Sequence, residues 1–221
     1  MVINDFKYMI RVDTLYKSYG IIPVIKKLDL KVNAGELVII NGSNGSGKTT
    51  LHLLLSSLIK PDSGNIEISG INVGDSPKIA RSHIGYVAHE PFLYPSLTIR
   101  ENLNFFAKLH NISYEDINQI FENNDLLKLL GISDRLDTLV SILSHGYKKR
   151  AGIACSLIHN PSVLLLDEPE TGLDSNGVMA LMDMVGFLTN INKSILMTTH
   201  TDLSKFNVEY THYILKNGQL I

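Results

Sequence analysis

The chain has 221 residues, of which 44% are hydrophobic and 19% charged, and its formal net charge is −2. That is ordinary globular composition with enough length for a sizeable core, and it gives no sign of the basic excess that marks a nucleic-acid footprint. One cysteine, Cys155, rules out an internal disulfide framework and fits a reducing compartment; its apolar setting, AGIACSLI, reads as core.

From the N-terminus, the charges in MVINDFKYMIRVD argue against a secretory signal. Apolar and polar residues alternate over 8–15 and 25–32, the period of two β-strands. GELVIIN (35–41) is a short continuous apolar run, which suits a strand buried on both faces. A Gly-rich turn follows, then KTTLHLLLSSLI, a helix expected to end before Lys60-Pro61, and a strand in NIEISG after the PDSG turn. Thr98-Ile99-Arg100-Glu101 fits a capping box that opens the amphipathic helix ENLNFFAKLH. Helical patterns recur near 114–122 and 125–130, and another opens after Ser144 and ends at Asn160-Pro161. SVLLLD (162–167) and KSILMTT (193–199) read as strands around a helix at 176–189, and Asn217-Gly218 marks a closing hairpin. No apolar run approaches the roughly 20 residues that span a bilayer. The chain is expected to be soluble, with any membrane role reached through a partner.

The organisation is one α/β domain interrupted by a helical block. Its core covers about 1–90 and 162–221 and its helical subdomain about 91–161. Within the block, the basic run Lys148-Lys149-Arg150 reads either as a solvated helix face or as part of a binding loop.

Two motifs carry chemistry. GSNGSGKTT (42–50) matches G-x-x-x-x-G-K-[ST] between a strand and a helix. Gly42, Ser43, Asn44, Gly45, Ser46 and Gly47 would turn backbone N–H groups around a phosphate chain, and Thr50 continues the helix start. The helix N-terminus adds dipole and free donors. Lys48 would reach the β- and γ-phosphates of ATP, and the Thr49 hydroxyl would hold Mg2+. LLLDEP (164–169) delivers Asp167 to the C-terminal end of an apolar strand, where ligands bind in open α/β sheets. Asp167 suits Mg2+, and Glu168 beside it is placed to deprotonate or orient an attacking water.

In order, KSYG, GSNGSGKTT, LSHGYKKR, LLLDEPETGLD and TTH resemble the ATP-binding subunit of an ABC transporter, over nearly the whole chain. The resemblance implies a P-loop NTPase (RecA-like) α/β core with an inserted helical subdomain and an antiparallel β portion. It implies that Tyr19 stacks on adenine, that Asp174 contacts a partner subunit and that His200 senses the γ-phosphate. Two places depart from the family pattern. His89 stands where a Gln contacts Mg2+ and water; a neutral imidazole also offers an acceptor nitrogen, but imidazoles as a class titrate between about pH 5 and 8. LSHGYKKR keeps Ser144, Gly146 and Arg150 of the loop that binds ATP held by the other subunit, but has His145 and Tyr147 for Gly and Gln.

The function this implies is ATP hydrolysis coupled to transport, in a homodimer or heterodimer whose two copies sandwich Mg-ATP head to tail. The implied partner is a membrane-embedded permease subunit on the inner face of the cell membrane, with no nucleic acid. Phe92 and Tyr94 are candidates for the docking surface or for the core. YPSLTIRENLNFFAKL resembles export-type cassettes of haem- or drug-exporter systems. The other readings are a non-catalytic ATP-binding partner and a soluble ABC ATPase not linked to transport. His52, His83, His110, His159 and His212 have no motif around them and read as structural.

Overall fold

Two sheets of different character share one core. The structure, a computed structural model, describes residues 7–113, 115, 117, 125–200 and 208–221. β1 (Ile10–Tyr19) and β2 (Ile22–Val32) form a long hairpin that joins β4 (Ser63–Ile68) and β5 (Ile71–Asn72) in an antiparallel sheet ordered β2-β1-β4-β5. Register shifts along β1, with Thr14 and Lys27 at positive φ, mark bulges that twist the hairpin.

The second sheet is ordered β10-β9-β3-β8-β7-β6, from β3 (Leu37–Asn41), β6 (Ile84–Val87), β7 (Val163–Asp167), β8 (Ser194–Thr198), β9 (Thr211–Lys216) and β10 (Gln219–Leu220). Its pairs are parallel except the β9–β10 hairpin. Asn217 and Gly218 turn that hairpin at φ 52° and 82°, the left-handed pair a type I′ turn requires.

The parallel strands are apolar on both faces because both are covered. Val38, Ile40, Leu165 and Leu196 pack toward the antiparallel sheet and α1 (Lys48–Leu55). Leu37, Ile39, Leu164, Leu166 and Met197 pack toward the helices. Those are α3 (Ile99–Leu109), α4 (Asp125–Leu129), α5 (His145–Leu157) and α6 (Ser175–Asn190), with the short α2 (Pro77–Ser82) lying between β5 and β6. The helical pattern near 114–122 falls largely outside the described residues.

The capping box is present: Glu101 N–H donates to Thr98 Oγ1 at 3.1 Å, and Thr98 N–H donates to Glu101 Oε2 at 2.8 Å. α1 is shorter than its apolar run suggests. It ends at Leu55, where the Ser56 hydroxyl turns back to the Leu53 carbonyl and Ser57 adopts φ 57°. Cys155 is buried, and burial pushes its thiol pKa up, as a core residue requires.

Candidate functional site

The strand order places the chemistry. β3, β8 and β7 are neighbours, so the chain segments leaving their C-terminal ends converge: the loop 42–47, His200, and Asp167 with Glu168. A concavity of about 340 Å³ opens there, lined by Val24, Asn44, Gly45, Lys48, Thr49 and Glu168 among others.

The loop's glycines are required by space. A Cβ at Gly42 would stand 2.6 Å from Ser46 Oγ and 2.7 Å from the Leu215 carbonyl oxygen. Gly47 has φ 109° and lies against Val24 and Ile25 of β2. It precedes α1 with no side-chain cap, so the first-turn amides stay available to an anion. Ser43 and Asn44 are exposed at the loop's rim, Thr50 is half-buried in the first turn of α1, and Ser46 Oγ is buried without a partner among the described residues.

Lys48 is buried and folds back over the loop, donating to the carbonyl oxygens of Gly42 (2.8 Å) and Ser43 (3.4 Å). Its Nζ also lies 3.4 Å from Glu168 Oε1. The same oxygen is 2.8 Å from His200 Nε2, while His89 Nδ1 is 3.6 Å from Glu168 Oε2. Glu168 thus draws together Lys48, His89 and His200, three residues far apart in sequence. Glu168 itself has φ 49°, a conformation unusual for a non-glycine residue; its N–H donates to the Thr198 carbonyl at 3.0 Å. His200 is held by its own N–H, 3.2 Å from Glu170 Oε1, and Thr199 Oγ1 donates to the same carboxylate.

Asp167 is buried, and its Oδ1 accepts from Thr198 Oγ1 at 2.8 Å. Its Oδ2 has no partner among the described residues. An orphaned carboxylate oxygen at the end of β7 and an exposed Thr49 hydroxyl at the start of α1 suit a hard cation that prefers oxygen ligands. Among the described residues no cluster of three or more His, Cys, Asp or Glu side chains would hold a metal by itself. A Mg2+ here would therefore depend on phosphate oxygens as well as on Thr49 and Asp167, as residues of this type do in nucleotide sites.

The remaining predicted residues lie apart from this centre. Tyr19 is 50% exposed at the tip of the β1–β2 hairpin, with Lys17 Nζ 5.9 Å from its ring centroid. Ser144 caps α5 with a 3.4 Å bond from Tyr147 N–H, and Gly146 lies in the first turn. Asp174 caps α6, accepting from Gly177 N–H at 2.8 Å. The two departures in LSHGYKKR are both packed. A Cβ at Gly172 would collide with the His145 imidazole, so that ring covers the loop before Asp174. The Tyr147 ring lies 4.5 Å from the Arg150 guanidinium and 5.3 Å from that of Arg135.

Two residues to which the motifs assign no role turn out to be placed at the site. The solvated reading of the basic run fails at Lys149, which is 0% exposed and donates to the carbonyls of His89 and Ala88. Burial pushes its pKa down, opposed by the charges of Glu90 and Glu170. His52 is buried behind Asp167 with Nε2 3.2 Å from Thr198 Oγ1, and burial lowers its pKa to about 4. The signal was present: His52 follows Lys48 by one helical turn and so shares its face.

The family profile described as "ABC transporter" matches residues 25–171. The chain belongs to that family. This cassette is 30% identical over 192 residues to the linearmycin resistance ATP-binding protein LnrL of Bacillus subtilis (strain 168), covering 87% of this chain and 61% of that protein. It is 36% identical over 191 residues to the Nod factor export ATP-binding protein I of Rhizobium meliloti (strain 1021), covering 86% of this chain and 56% of that one. It therefore spans less than two thirds of either relative. An ATP-binding cassette solved as a dimer in a post-hydrolysis state with ADP and Pi superposes with a TM-score of 0.85 at 27% identity, covering 96% of both chains. The P-loop NTPase fold of the cassette follows from this likeness.

Proposed function

We propose that this cassette binds and hydrolyses ATP as the motor subunit of an ABC transporter, working as a head-to-tail dimer. The observation that carries the reading is Glu168, whose carboxylate meets Lys48 and His200 at the mouth of the phosphate loop. An isolated acid at a strand end would need none of these partners.

In this reading Gly42 to Gly47, Lys48, Thr49 and Thr50 take the triphosphate, and Tyr19 offers an exposed ring to adenine. Lys48 exchanges its loop carbonyls for phosphate oxygens. The water oxygen bonds to the γ-phosphorus as the bond to the bridging oxygen breaks. Glu168 takes the water proton, and His200, already bonded to that carboxylate, keeps it aimed. His89 reaches Glu168 from the opposite side and helps hold the water. Thr49 and Asp167 would hold Mg2+, which would supply charge neutralisation to the triphosphate when bound. In this dimer Ser144 and Gly146 of one copy would face the triphosphate bound by the other; the solved cassette with ADP and Pi, itself a dimer, supports the pairing of two copies.

With a core of about 1–90 and 162–221 and a helical subdomain of about 91–161, Phe92 lines a concavity with Tyr86, Phe106 and Gly152, while Tyr94 packs edge-on against Phe105. The two rings are 65% and 48% exposed, which favours docking over core packing. Asn102 fastens that loop, accepting from Tyr94 N–H at 2.8 Å and donating to the Tyr94 carbonyl at 3.1 Å. No described helix is long and apolar enough to cross a membrane. A separate permease subunit would hold the cassette on the inner membrane face, and the export relative supports an outward direction.

Sedimentation velocity with and without Mg-ATP tests the reading. The Glu168→Gln chain should shift from monomer to dimer when ATP is added, and adding Ser144→Ala should weaken the shift. A sedimentation coefficient indifferent to ATP would contradict the proposal.

A further inference from the structure

Thr198 sits at the end of β8, the strand between the phosphate-loop strand and the acidic strand, paired in register with Ile40 on one side and Asp167 on the other. Its hydroxyl has one proton and two lone pairs. The 2.8 Å contact to Asp167 Oδ1 claims the proton, since a carboxylate only accepts. Glu168 N–H approaches the oxygen at 3.3 Å and takes one lone pair. The remaining neighbour is His52 Nε2 at 3.2 Å, which must therefore be the protonated nitrogen of a neutral ring. Nδ1 is then a bare acceptor, and it has no hydrogen-bond partner among the described residues. Tyr86 stacks on the ring with centroids 6.0 Å apart, and His52 and Asp167 are both buried.

We propose that His52 is a positioning residue for the metal half of the site: by donating to Thr198 it fixes the hydroxyl proton on Asp167 Oδ1 and leaves Oδ2 free for Mg2+. Without the imidazole donor the Thr198 hydroxyl can turn to the Leu166 carbonyl, 3.4 Å away, and the Asp167 carboxylate loses its anchor. Partners that orient a metal ligand in this way typically change affinity about ten- to a hundredfold when removed. The inference rests on the reading of this pocket as a Mg-nucleotide site.

The test measures the dissociation constant of a fluorescent ATP analogue on the full 221-residue chain, in excess Mg2+ and in EDTA. His52→Leu should shrink the Mg2+-dependent gain in affinity about tenfold and leave the EDTA value unchanged. His52→Gln, whose amide N–H2 reaches the place of Nε2, should restore the gain, while the shorter His52→Asn should not. In a Thr198→Val background, His52→Leu should cost nothing further. A full gain in the Leu variant, equal losses in Gln and Leu, or additive losses with Thr198→Val would overturn the proposal. Should the Leu variant not fold, the Gln–Asn contrast decides. A wild-type chain whose affinity ignores Mg2+ would instead overturn the metal-site reading beneath it.

Discussion

Replacing Lys149 with Met keeps the length of the stem and removes the ammonium, the group that links α5 to the loop bearing His89. Two part-buried carbonyls, those of Ala88 and His89, lose their donor. Hydrogen bonds to a charged donor contribute about 1.5–3 kcal/mol net, and a buried carbonyl left unpaired costs about 1–3 kcal/mol. Against this, the ammonium is itself poorly solvated, as its lowered pKa shows, and Met is spared that cost. The balance is a loss of about 2 kcal/mol. At this chain length that lowers Tm by about 4–8 °C, readable by circular dichroism. The functional cost should be larger than stability implies. The released carbonyl belongs to His89 itself, and a displacement of about 1 Å at a reacting centre can cost on the order of a hundredfold. Phosphate release at a temperature where the variant is fully folded separates the two effects. A variant with wild-type Tm and wild-type turnover would refute the latch.

Other outcomes follow from the same geometry. His110 and His159 stack with centroids 3.8 Å apart, His159 bonded to the Ile84 carbonyl, and burial followed by the neighbouring His110 lowers the His159 pKa to about 4. Between about pH 6.5 and 4 the unfolded chain binds a proton that the folded chain refuses, so stability falls as pH falls through that window. His159→Gln should flatten urea midpoints measured from pH 7 to 5; an unchanged slope would count against the stack as the cause. His89→Gln, whose amide can still hydrogen-bond beside Glu168, should keep more phosphate release at saturating Mg-ATP than His89→Ala, because the imidazole stands 3.6 Å from that carboxylate. Equal rates in the two variants would remove His89 from the water site. The double swap His145→Gly with Tyr147→Gln loses the ring over Gly172 and the contacts with Arg135 and Arg150, so it should lower Tm by a few degrees; an unchanged melt would show these contacts contribute nothing.

What could be read from sequence was what local chemistry writes. The Thr98–Glu101 box, the Asn217-Gly218 turn, the buried runs of β3, β7 and β8, and the phosphate loop each carry their own signal in a few residues. β6 carries none: four residues around Gly85 show no period, and that glycine is there because a Cβ would stand 2.5 Å from the Ser156 carbonyl oxygen. Strand order is equally silent, since nothing local says that β8 lies between β3 and β7. The site depends on that order. His52 reads as an ordinary helix residue until α1 is laid against β8, and Lys149 reads as surface until α5 turns it toward His89. Charge runs report composition, while burial is decided by what packs above them.

The central claim is that Glu168 is the base of an ATPase, and one comparison tests it most directly: steady-state phosphate release from purified wild-type chain against Glu168→Gln, at saturating Mg-ATP and with nucleotide binding confirmed for both. The account predicts that turnover falls about a hundredfold or more while ATP is still bound. Equal rates in the two chains would contradict it and leave a cassette that binds ATP without using Glu168 to spend it.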